Sequence, residues 1–407
     1  MQAPATTAPQ PVIGPLLMAM LVGMLALAVM LNFVDRGAIG IAAPLMSKAL
    51  GLSATQFGIA VSAFFWTYGL TQPFIGLAAD RWPARRVLAA AVGGWAVATV
   101  LTSLATGLTM LVMLRLALGL GEAALFPCTS KLIATHVPPQ RRGLANAVIA
   151  VGLALGPALG TLAGGMILAR YGWRWVFFGF GVVTLGWTVP WVMVAARLPA
   201  VTPDQPAQRP SPIGQLLARP TLWVMGGAHA LANYAFFFVV AWLPLYLVRS
   251  RGLSIPAMTL FATATYGAQA LASLGWGHLA DVLVRRGRAP SAVKRWLCVV
   301  AELGSVLGIA AIALAAGPAQ LLAALVVTGV FLGCLPTMVF ALGQIHAGAR
   351  DAAGWIGVQN AIGSVSGIVG PVVTGLIVDL TGSFSGAFAL AGAVCAVGAA
   401  VFAFVVP

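Results

Sequence analysis

The sequence predicts an all-α membrane protein whose twelve transmembrane helices form two pseudo-symmetric six-helix bundles. Of its 407 residues, 60% are hydrophobic and only 7% are charged, whereas a soluble domain carries roughly 25% charged residues. Proline, glycine and charged positions divide the chain into twelve apolar stretches, each near the length of about 20 residues that a spanning helix needs. The two halves also repeat each other's motifs. This composition excludes a soluble globular domain and a disordered chain.

Each predicted span ends at a proline, a glycine or a charged residue. The expected extents are 16–46, 55–79, 86–106, 108–135, 143–169, 173–196, 221–248, 256–284, 294–316, 319–346, 352–379 and 384–406. A connection with six prolines separates spans six and seven. We therefore expect a cytoplasmic tail at 1–15, an N-terminal bundle at 16–197, a cytoplasmic linker at 198–220 and a C-terminal bundle at 221–407. The tail lacks the basic start of a signal peptide, so no cleavage is expected.

The basic residues predict the orientation. With the N-terminus inside, inner connections and adjacent helix ends carry 15 of the 22 Lys and Arg residues, and the outer side carries five. This bias favours a protein of the inner membrane with both termini in the cytoplasm. The net charge of +14 comes from these short, scattered groups. They form no basic stripe, so no nucleic-acid partner is expected.

An internal repeat relates the two halves. The matched positions are Asn32 with Asn233, Asp80 with Asp281, and Pro127 with Pro336. The offset between the copies grows from 201 to 209 along the chain, as loop insertions would produce. Repeated six-helix halves are typical of secondary transporters.

Segments spread over almost the entire chain carry a family resemblance. They include Asn32-Phe-Val-Asp35-Arg36, Gly76-Leu-Ala-Ala-Asp80-Arg81-Trp-Pro-Ala-Arg85-Arg86, Arg115 followed by Glu122-Ala-Ala-Leu-Phe-Pro127, Tyr171-Gly-Trp-Arg-Trp-Val-Phe177 and Asp379-Leu-Thr-Gly-Ser. The second resembles the signature between spans two and three of the major facilitator superfamily, with Pro83 where that signature has Gly. Together the segments resemble the anion:cation symporter family, which includes sugar-acid/proton symporters, sialin and the vesicular glutamate transporters. The resemblance implies alternating access, with the charged residues of spans one and four serving proton coupling and anion binding.

Four ionisable residues fall inside predicted spans: Asp35, Arg36, Arg115 and Glu122. A charge in a bilayer costs several kcal/mol or more, so such residues are functional candidates. Glu122 follows Arg115 by seven residues, on the same helical face. The alternative is two buried ion pairs that only fix helix packing. Buried ion pairs contribute little to stability, because desolvation offsets their attraction. The repeat places apolar residues at all four positions of the second half, which favours a functional cluster.

Chemistry suggests a role for each residue of the cluster. Arginine keeps its charge and binds a carboxylate with two parallel bonds, so Arg115 is predicted to bind the anion directly. Arg36 is a second ligand or a coupling residue. Burial disfavours the charged form of a carboxyl group, so Glu122 is predicted to carry the proton, with Asp35 as a second candidate.

Two weaker sets of residues complete the predicted site. Asn32, Tyr68, Tyr234 and Asn360 are expected to line the pocket, although helix packing explains such residues equally well. The charged residues at the inner ends of spans two and eight are expected to form a gate in one conformation only, or merely to set the topology. They are Asp80, Arg81, Arg85, Arg86 and Asp281.

The remaining ionisable residues indicate no second chemistry. The histidines and cysteines do not cluster at ligand spacing, so no metal, cofactor or catalytic residue is predicted, and Glu302 is interpreted as part of an interfacial ion pair. The leading hypothesis is a monomeric, proton-coupled symporter of a small organic anion, a carboxylate. The alternatives are a proton-driven exporter of drugs or metabolites and a membrane sensor that does not transport.

Overall fold

The protein is an all-α multi-pass membrane protein. The computed structural model describes residues 13–199 and 211–407, without the side chains of residues 73, 76–81, 139, 349, 350 and 353. The helices of these ranges are α1 (Pro15–Ala49), α2 (Ala54–Arg81), α3 (Ala84–Thr102), α4 (Leu108–Glu122), α5 (Leu125–His136), α6 (Pro139–Tyr171), α7 (Trp173–Arg197), α8 (Ile213–Leu217), α9 (Pro220–Arg249), α10 (Ile255–Arg285), α11 (Pro290–Leu314), α12 (Pro318–Leu332), α13 (Leu335–Gly363), α14 (Val365–Thr381) and α15 (Ser385–Phe404). The backbone of α13 is not helical at Gly348, where φ is 72°, so α13 is divided there between two membrane spans.

The predicted twelve-span fold is confirmed. In the described part of the chain, ten helical stretches are long and apolar enough to cross a membrane. Helices α2 and α10, of 28 and 31 residues, complete the set. Each of these two packs against a helix of the opposite half, α2 on α14 and α10 on α6. Because that side of each helix meets protein rather than lipid, α2 and α10 tolerate more polar residues than a lipid-facing span.

Two spans are broken at equivalent places in the two halves. Helix α4 ends at Glu122 and α5 begins at Leu125, while α12 ends at Leu332 and α13 begins at Leu335. Pro127 and Pro336 lie just inside the second segments. A proline has no N–H for the carbonyl four residues earlier, which interrupts the helical ladder there. The break leaves Glu122 at the C-terminal end of α4, where free carbonyl groups favour a neighbouring cation.

The two halves meet through glycines. We call the end of the molecule where α7 ends and α9 begins the linker end, and the opposite end the distal end. Near the distal end, a Cβ added at Gly40, Gly58 or Gly165 would collide with Val240, Pro371 or Thr259 of the other half. Such close backbone contact is what small residues permit between membrane helices. The distal end is therefore closed along the pairs α1–α9, α2–α14 and α6–α10.

Candidate functional site: a buried charge cluster beside a cavity between the halves

The four predicted charged residues lie on α1 and α4, and all are buried. Asp35, Arg36, Arg115 and Glu122 are each at most 8% exposed. They divide into three settings: an ion pair, an arginine held only by an aromatic ring, and a carboxylate held by neutral donors. The prediction that spans one and four share a charged centre therefore has a geometric basis.

Arg36 and Glu122 form the ion pair. Nη2 and Nε of Arg36 donate to Oε2 of Glu122, at 2.9 and 3.2 Å. Nη2 also lies 3.4 Å from Oδ1 of Asn32, one helical turn earlier on α1. The other carboxylate oxygen of Glu122, Oε1, is buried and has no hydrogen-bond partner among the described residues. One oxygen of Glu122 therefore accepts two hydrogen bonds from Arg36, while the other has no described partner.

Aromatic rings enclose the guanidinium of Arg36. Its Cζ lies 5.0 Å from the ring centre of Phe33, 4.9 Å from that of Phe64 and 4.6 Å from that of Tyr68. Cations at these distances are attracted to the faces of aromatic rings. Phe64 and Tyr68 also stack on each other at 5.2 Å. This enclosure holds the planar group in place without supplying a second anion.

Arg115 is buried without an anionic partner in the described part of the chain. Its Cζ lies 5.5 Å from the ring centre of Phe64, and its Nε makes no hydrogen bond. Arg36 and Arg115 therefore share one aromatic neighbour, since the Cζ of Arg36 lies 4.9 Å from the same ring centre.

Asp35 points into the N-terminal half. Its Oδ2 accepts hydrogen bonds from Nε1 of Trp95 on α3, at 3.1 Å, and from Oγ1 of Thr184 on α7, at 2.9 Å. Its Oδ1 has no partner among the described residues. Sequence reasoning missed both donors, because a single Trp and a single Thr in apolar helices give no signal that separates them from packing residues.

A cavity lies between the halves beside the ion pair. Its walls come from α1, α6, α9 and α10, and its most informative residues are Phe33, Arg36, Thr161, Phe236, Val240 and Tyr266. The other described lining residues are one glycine, one isoleucine and two prolines. Arg36 is thus the one charged residue that lines this cavity in the described part of the chain. Arg115 is not among its lining residues.

The residues predicted to line the pocket occupy different places. Asn32 and Tyr68 contact Arg36 as described above. Tyr234 is buried against Gly370 of α14, and its hydroxyl has no partner among the described residues. Asn360 donates to Oε1 of Gln72, at 2.7 Å, and so joins α13 to α2 across the two halves. None of the four is a lining residue of the cavity.

The predicted gate is only partly visible. The side chains of Asp80 and Arg81 lie outside the described residues. Arg85 donates from Nη1 to the carbonyl oxygens of Ala195 and Leu198, at 3.1 and 2.6 Å, and so caps α7 within its own half. Arg86 and Asp281 are exposed. The gating role of this set stays a prediction.

A carboxylate closes the distal end. Asp379, near the end of α14, accepts hydrogen bonds from the backbone N–H groups of Ala54 and Thr55, at 2.9 and 2.8 Å. These are free donors at the start of α2, where a helix favours a negative charge. We call this contact the distal latch, because it joins the C-terminal half to the N-terminal half.

A second carboxylate organises the linker end. Asp351 accepts from the backbone N–H and the hydroxyl of Ser211, at 3.0 and 3.1 Å, and from Nη2 of Arg219, at 2.7 Å. Bonds from the Ser211 backbone, and then from its hydroxyl and Arg219, lower the pKa of Asp351. Asp351 therefore ties the end of the linker to the connection between spans ten and eleven.

Glu302 differs from its expected role. It was interpreted as part of an interfacial ion pair, but it is fully buried on α11, with both oxygens unpartnered among the described residues. A Cβ at Gly398 would lie 2.7 Å from its Oε1, so the missing side chain on α15 leaves the space that the carboxyl group fills. Sequence spacing gave no indication of this packing.

Comparison with known proteins agrees with this architecture. The Major Facilitator Superfamily model matches residues 25–293. The chain is 31% identical over 391 residues to a protein of Bacillus subtilis named as a hexuronate transporter, covering 93% of this chain and 91% of that protein. It is 29% identical over 406 residues to a probable sulfoacetate transporter of Cupriavidus necator, covering 95% and 94%.

A solved structure has the same fold. It is a bacterial homologue of the human lysosomal transporter Spinster, and it superposes with a TM-score of 0.77 at 19% identity, over 96% of this chain and 97% of that one. The twelve-span architecture, the family model and the two relatives lead to one assignment. The chain belongs to the major facilitator superfamily, and these relatives are named as transporters of organic anions.

Proposed function

We propose that the protein imports a small organic anion, a carboxylate, together with protons by alternating access. One observation carries this proposal: the single charged residue that lines the cavity between the halves, Arg36, is held by the carboxylate of Glu122. An incoming anion and Glu122 would thus compete for one guanidinium. The relatives named for sulfoacetate and hexuronate transport support an anionic substrate.

Proton coupling would arise from this competition for Arg36. When Glu122 is ionised, it occupies Nε and Nη2 of Arg36, and an anion must displace it. A protonated Glu122 is a weaker acceptor and releases the guanidinium to the cavity. Proton binding and anion binding therefore favour each other, and by linkage the effect is reciprocal. This thermodynamic coupling is what a symporter needs.

The other charged residues have supporting roles in this scheme. Arg115 lacks an anionic partner in the described structure, so it keeps positive charge near Glu122 and favours arrival of the substrate. Asp35 is held by Trp95 and Thr184, and it is the second candidate for proton transfer. Arg115 does not line the cavity, so its pairing with a substrate there would require movement of α4 or of the Arg115 side chain.

The contacts between the halves support alternating access. The distal latch and the glycine contacts close one end, and we place that end on the outer side of the inner membrane. The linker end and both termini then face the cytoplasm, as the distribution of basic residues favours. The gate residues at the ends of α2 and α10 would close the linker end in the opposite state. Nothing in this scheme requires a second copy, so we propose a monomer.

Transport by purified protein in proteoliposomes tests the proposal. Uptake of a labelled acid should rise when the outside is made acidic and vanish when the pH gradient is collapsed. Glu122→Gln should abolish this uptake but retain counterflow exchange, which needs no net proton movement. Glu302→Gln is the matched control, because it makes the same change at a buried carboxyl group outside the cavity.

Other outcomes would identify the alternatives. Uptake that is driven by an alkaline exterior would indicate an exporting antiporter. Binding without any exchange would indicate a sensor. Loss of counterflow together with uptake in Glu122→Gln would assign Glu122 to binding or folding and remove its coupling role.

A further inference from the structure

A group of basic residues surrounds the turn between α10 and α11, at the linker end of the molecule. Five of them fall within eleven positions: Arg285, Arg286, Arg288, Lys294 and Arg295. The first three are exposed, and the last two are partly exposed. We call these five residues the basic turn. It concentrates positive charge at one place on the surface.

The protein does not neutralise the charge of the basic turn. Among the described residues, no ion pair involves any of its members. Asp281, one helical turn before Arg285, is the nearest acid along α10, and the next acid on α11 is Glu302, which is fully buried. Asp351, at the same end of the molecule, already accepts hydrogen bonds at the linker. Five basic residues against one acid leave this stretch with a net charge of +4.

An apolar face runs along α11 from the basic turn toward the distal end. Its side chains follow the spacing of a single helix face and are 46–71% exposed: Trp296, Val300, Leu303 and Leu307. Because α11 is long and apolar enough to cross a membrane, an apolar face that the protein leaves uncovered meets the acyl chains of lipids. Tryptophan is typical of the headgroup level of a bilayer. Trp296 therefore marks the height at which this face begins.

The start of α11 brings the positive charge and the apolar face together. Four and seven residues before Trp296, the same face of the helix reaches Ala292 and Ala289, beside Arg288. No side chain caps this helix start. Its free N–H groups, like the guanidinium groups of the basic turn, favour a phosphate group. A phosphate at the start of α11 would therefore lie directly above a hydrocarbon face.

We infer that the basic turn binds the headgroup of an anionic phospholipid, whose acyl chain lies along the apolar face of α11. The lipid belongs to the leaflet at the linker end, which is the cytoplasmic leaflet in the proposed orientation. A free phosphate would use the cations alone, whereas a phospholipid uses both the cations and the apolar face. This site goes beyond the proposed function, and lipid binding can be measured without any transport.

A lipid-binding panel with the purified full-length protein in a neutral detergent tests the inference. The probe is a fluorescent phosphatidylglycerol, compared with the same label on phosphatidylcholine. Phosphatidylglycerol should bind at least about tenfold more tightly, and added salt should weaken it. Equal affinity for the two lipids would show that the basic turn only sets the topology. Displacement of the probe by inorganic phosphate as effectively as by unlabelled phosphatidylglycerol would show a phosphate site, against the inference.

Paired substitutions test the position of the site. Arg286→Gln combined with Arg288→Gln removes two exposed charges, so affinity for phosphatidylglycerol should fall about fivefold for each. The matched control is Arg170→Gln combined with Arg249→Gln, which removes two exposed arginines at the distal end. The control should keep the wild-type affinity, and thermal unfolding reports whether both proteins fold. Wild-type affinity in the first variant, or an equal loss in the control, would overturn the inference.

Discussion

Replacing Glu122 with Gln should make anion affinity independent of pH. In the wild type an anion must displace the ionised carboxylate from Arg36, where two charge-assisted bonds of 2.9 and 3.2 Å hold it. A bond to a charged group contributes about 1.5–3 kcal/mol and a neutral one about 0.5–1.5 kcal/mol. The difference, about 1.5 kcal/mol, corresponds to about tenfold in affinity. Gln mimics the protonated acid at every pH.

Competition for Arg36 sets the direction in which anion affinity changes with pH. Lowering the pH protonates Glu122 and frees Arg36, so wild-type affinity should be tight at acid pH and fall about tenfold as pH rises. Glu122→Gln should stay at the tight limit throughout. Calorimetric titration between about pH 5.5 and about pH 9 measures this, with an acid that is ionised over the whole range.

The control variant makes the same change from Glu to Gln at a different buried position. Glu302→Gln also neutralises a fully buried carboxyl group, but on α11, away from Arg36. It should retain the wild-type dependence on pH. If Glu122→Gln kept the wild-type dependence of anion affinity on pH, another group would have to carry the proton, and Asp35 would be the next candidate. A variant that binds no more tightly than wild type at alkaline pH would refute competition for Arg36.

Three further predictions concern other parts of the molecule. Arg115→Lys should lose most anion affinity if the substrate binds this residue directly, because an ammonium cannot copy the guanidinium fork; unchanged affinity in calorimetry would leave it a structural role. Asp379→Asn should weaken the distal latch by about 1 kcal/mol, since the group is exposed and screened, and distances between spin labels at the distal end should shift about fivefold in population toward the open state. The bonds that lower the pKa of Asp351 persist above its ordinary value, near 4, and are lost as pH falls through the lowered one. Asp351→Asn at neutral pH and acidification of the wild type should therefore both lower the protection of the amides between Ser211 and Arg219 relative to their intrinsic exchange rates, and unchanged protection would show that these bonds do not hold the end of the linker.

The fold could be read from the sequence because a bilayer imposes strict rules. Long apolar stretches must be helices, and charges inside them demand an explanation. The same rules predicted Asp35, Arg36, Arg115 and Glu122 as functional candidates; the structure buries all four, and their roles stay predictions. The repeat added that the second half lacks this chemistry, and Phe236, at the position matching Asp35, does line the cavity.

The contacts that these four charged residues make could not be predicted from the sequence in the same way. Helical spacing shows which residues share a face, but not which neighbouring helix that face meets. The bidentate chemistry of arginine predicts Arg115 as the direct ligand, and that role stays a prediction; Arg36 lines the cavity, and Arg115 is not among its lining residues. The donors to Asp35 come from α3 and α7, whose relative rotation no local pattern encodes.

The unequal halves suggest how one site couples two ions to one motion. All four charged residues lie on α1 and α4, so in the proposed cycle the proton and the anion would bind to the same half. The C-terminal half contributes Phe236, Val240 and Tyr266 to the cavity wall, and none of them carries a charge. Closure over an empty, unprotonated site would press these apolar groups against the Arg36–Glu122 pair and strip it of any remaining water. Closure over a bound anion would instead leave the anion's charge on Arg36. The C-terminal half can therefore reject the half-loaded state without a charge of its own, which is consistent with the apolar residues at its four matching positions.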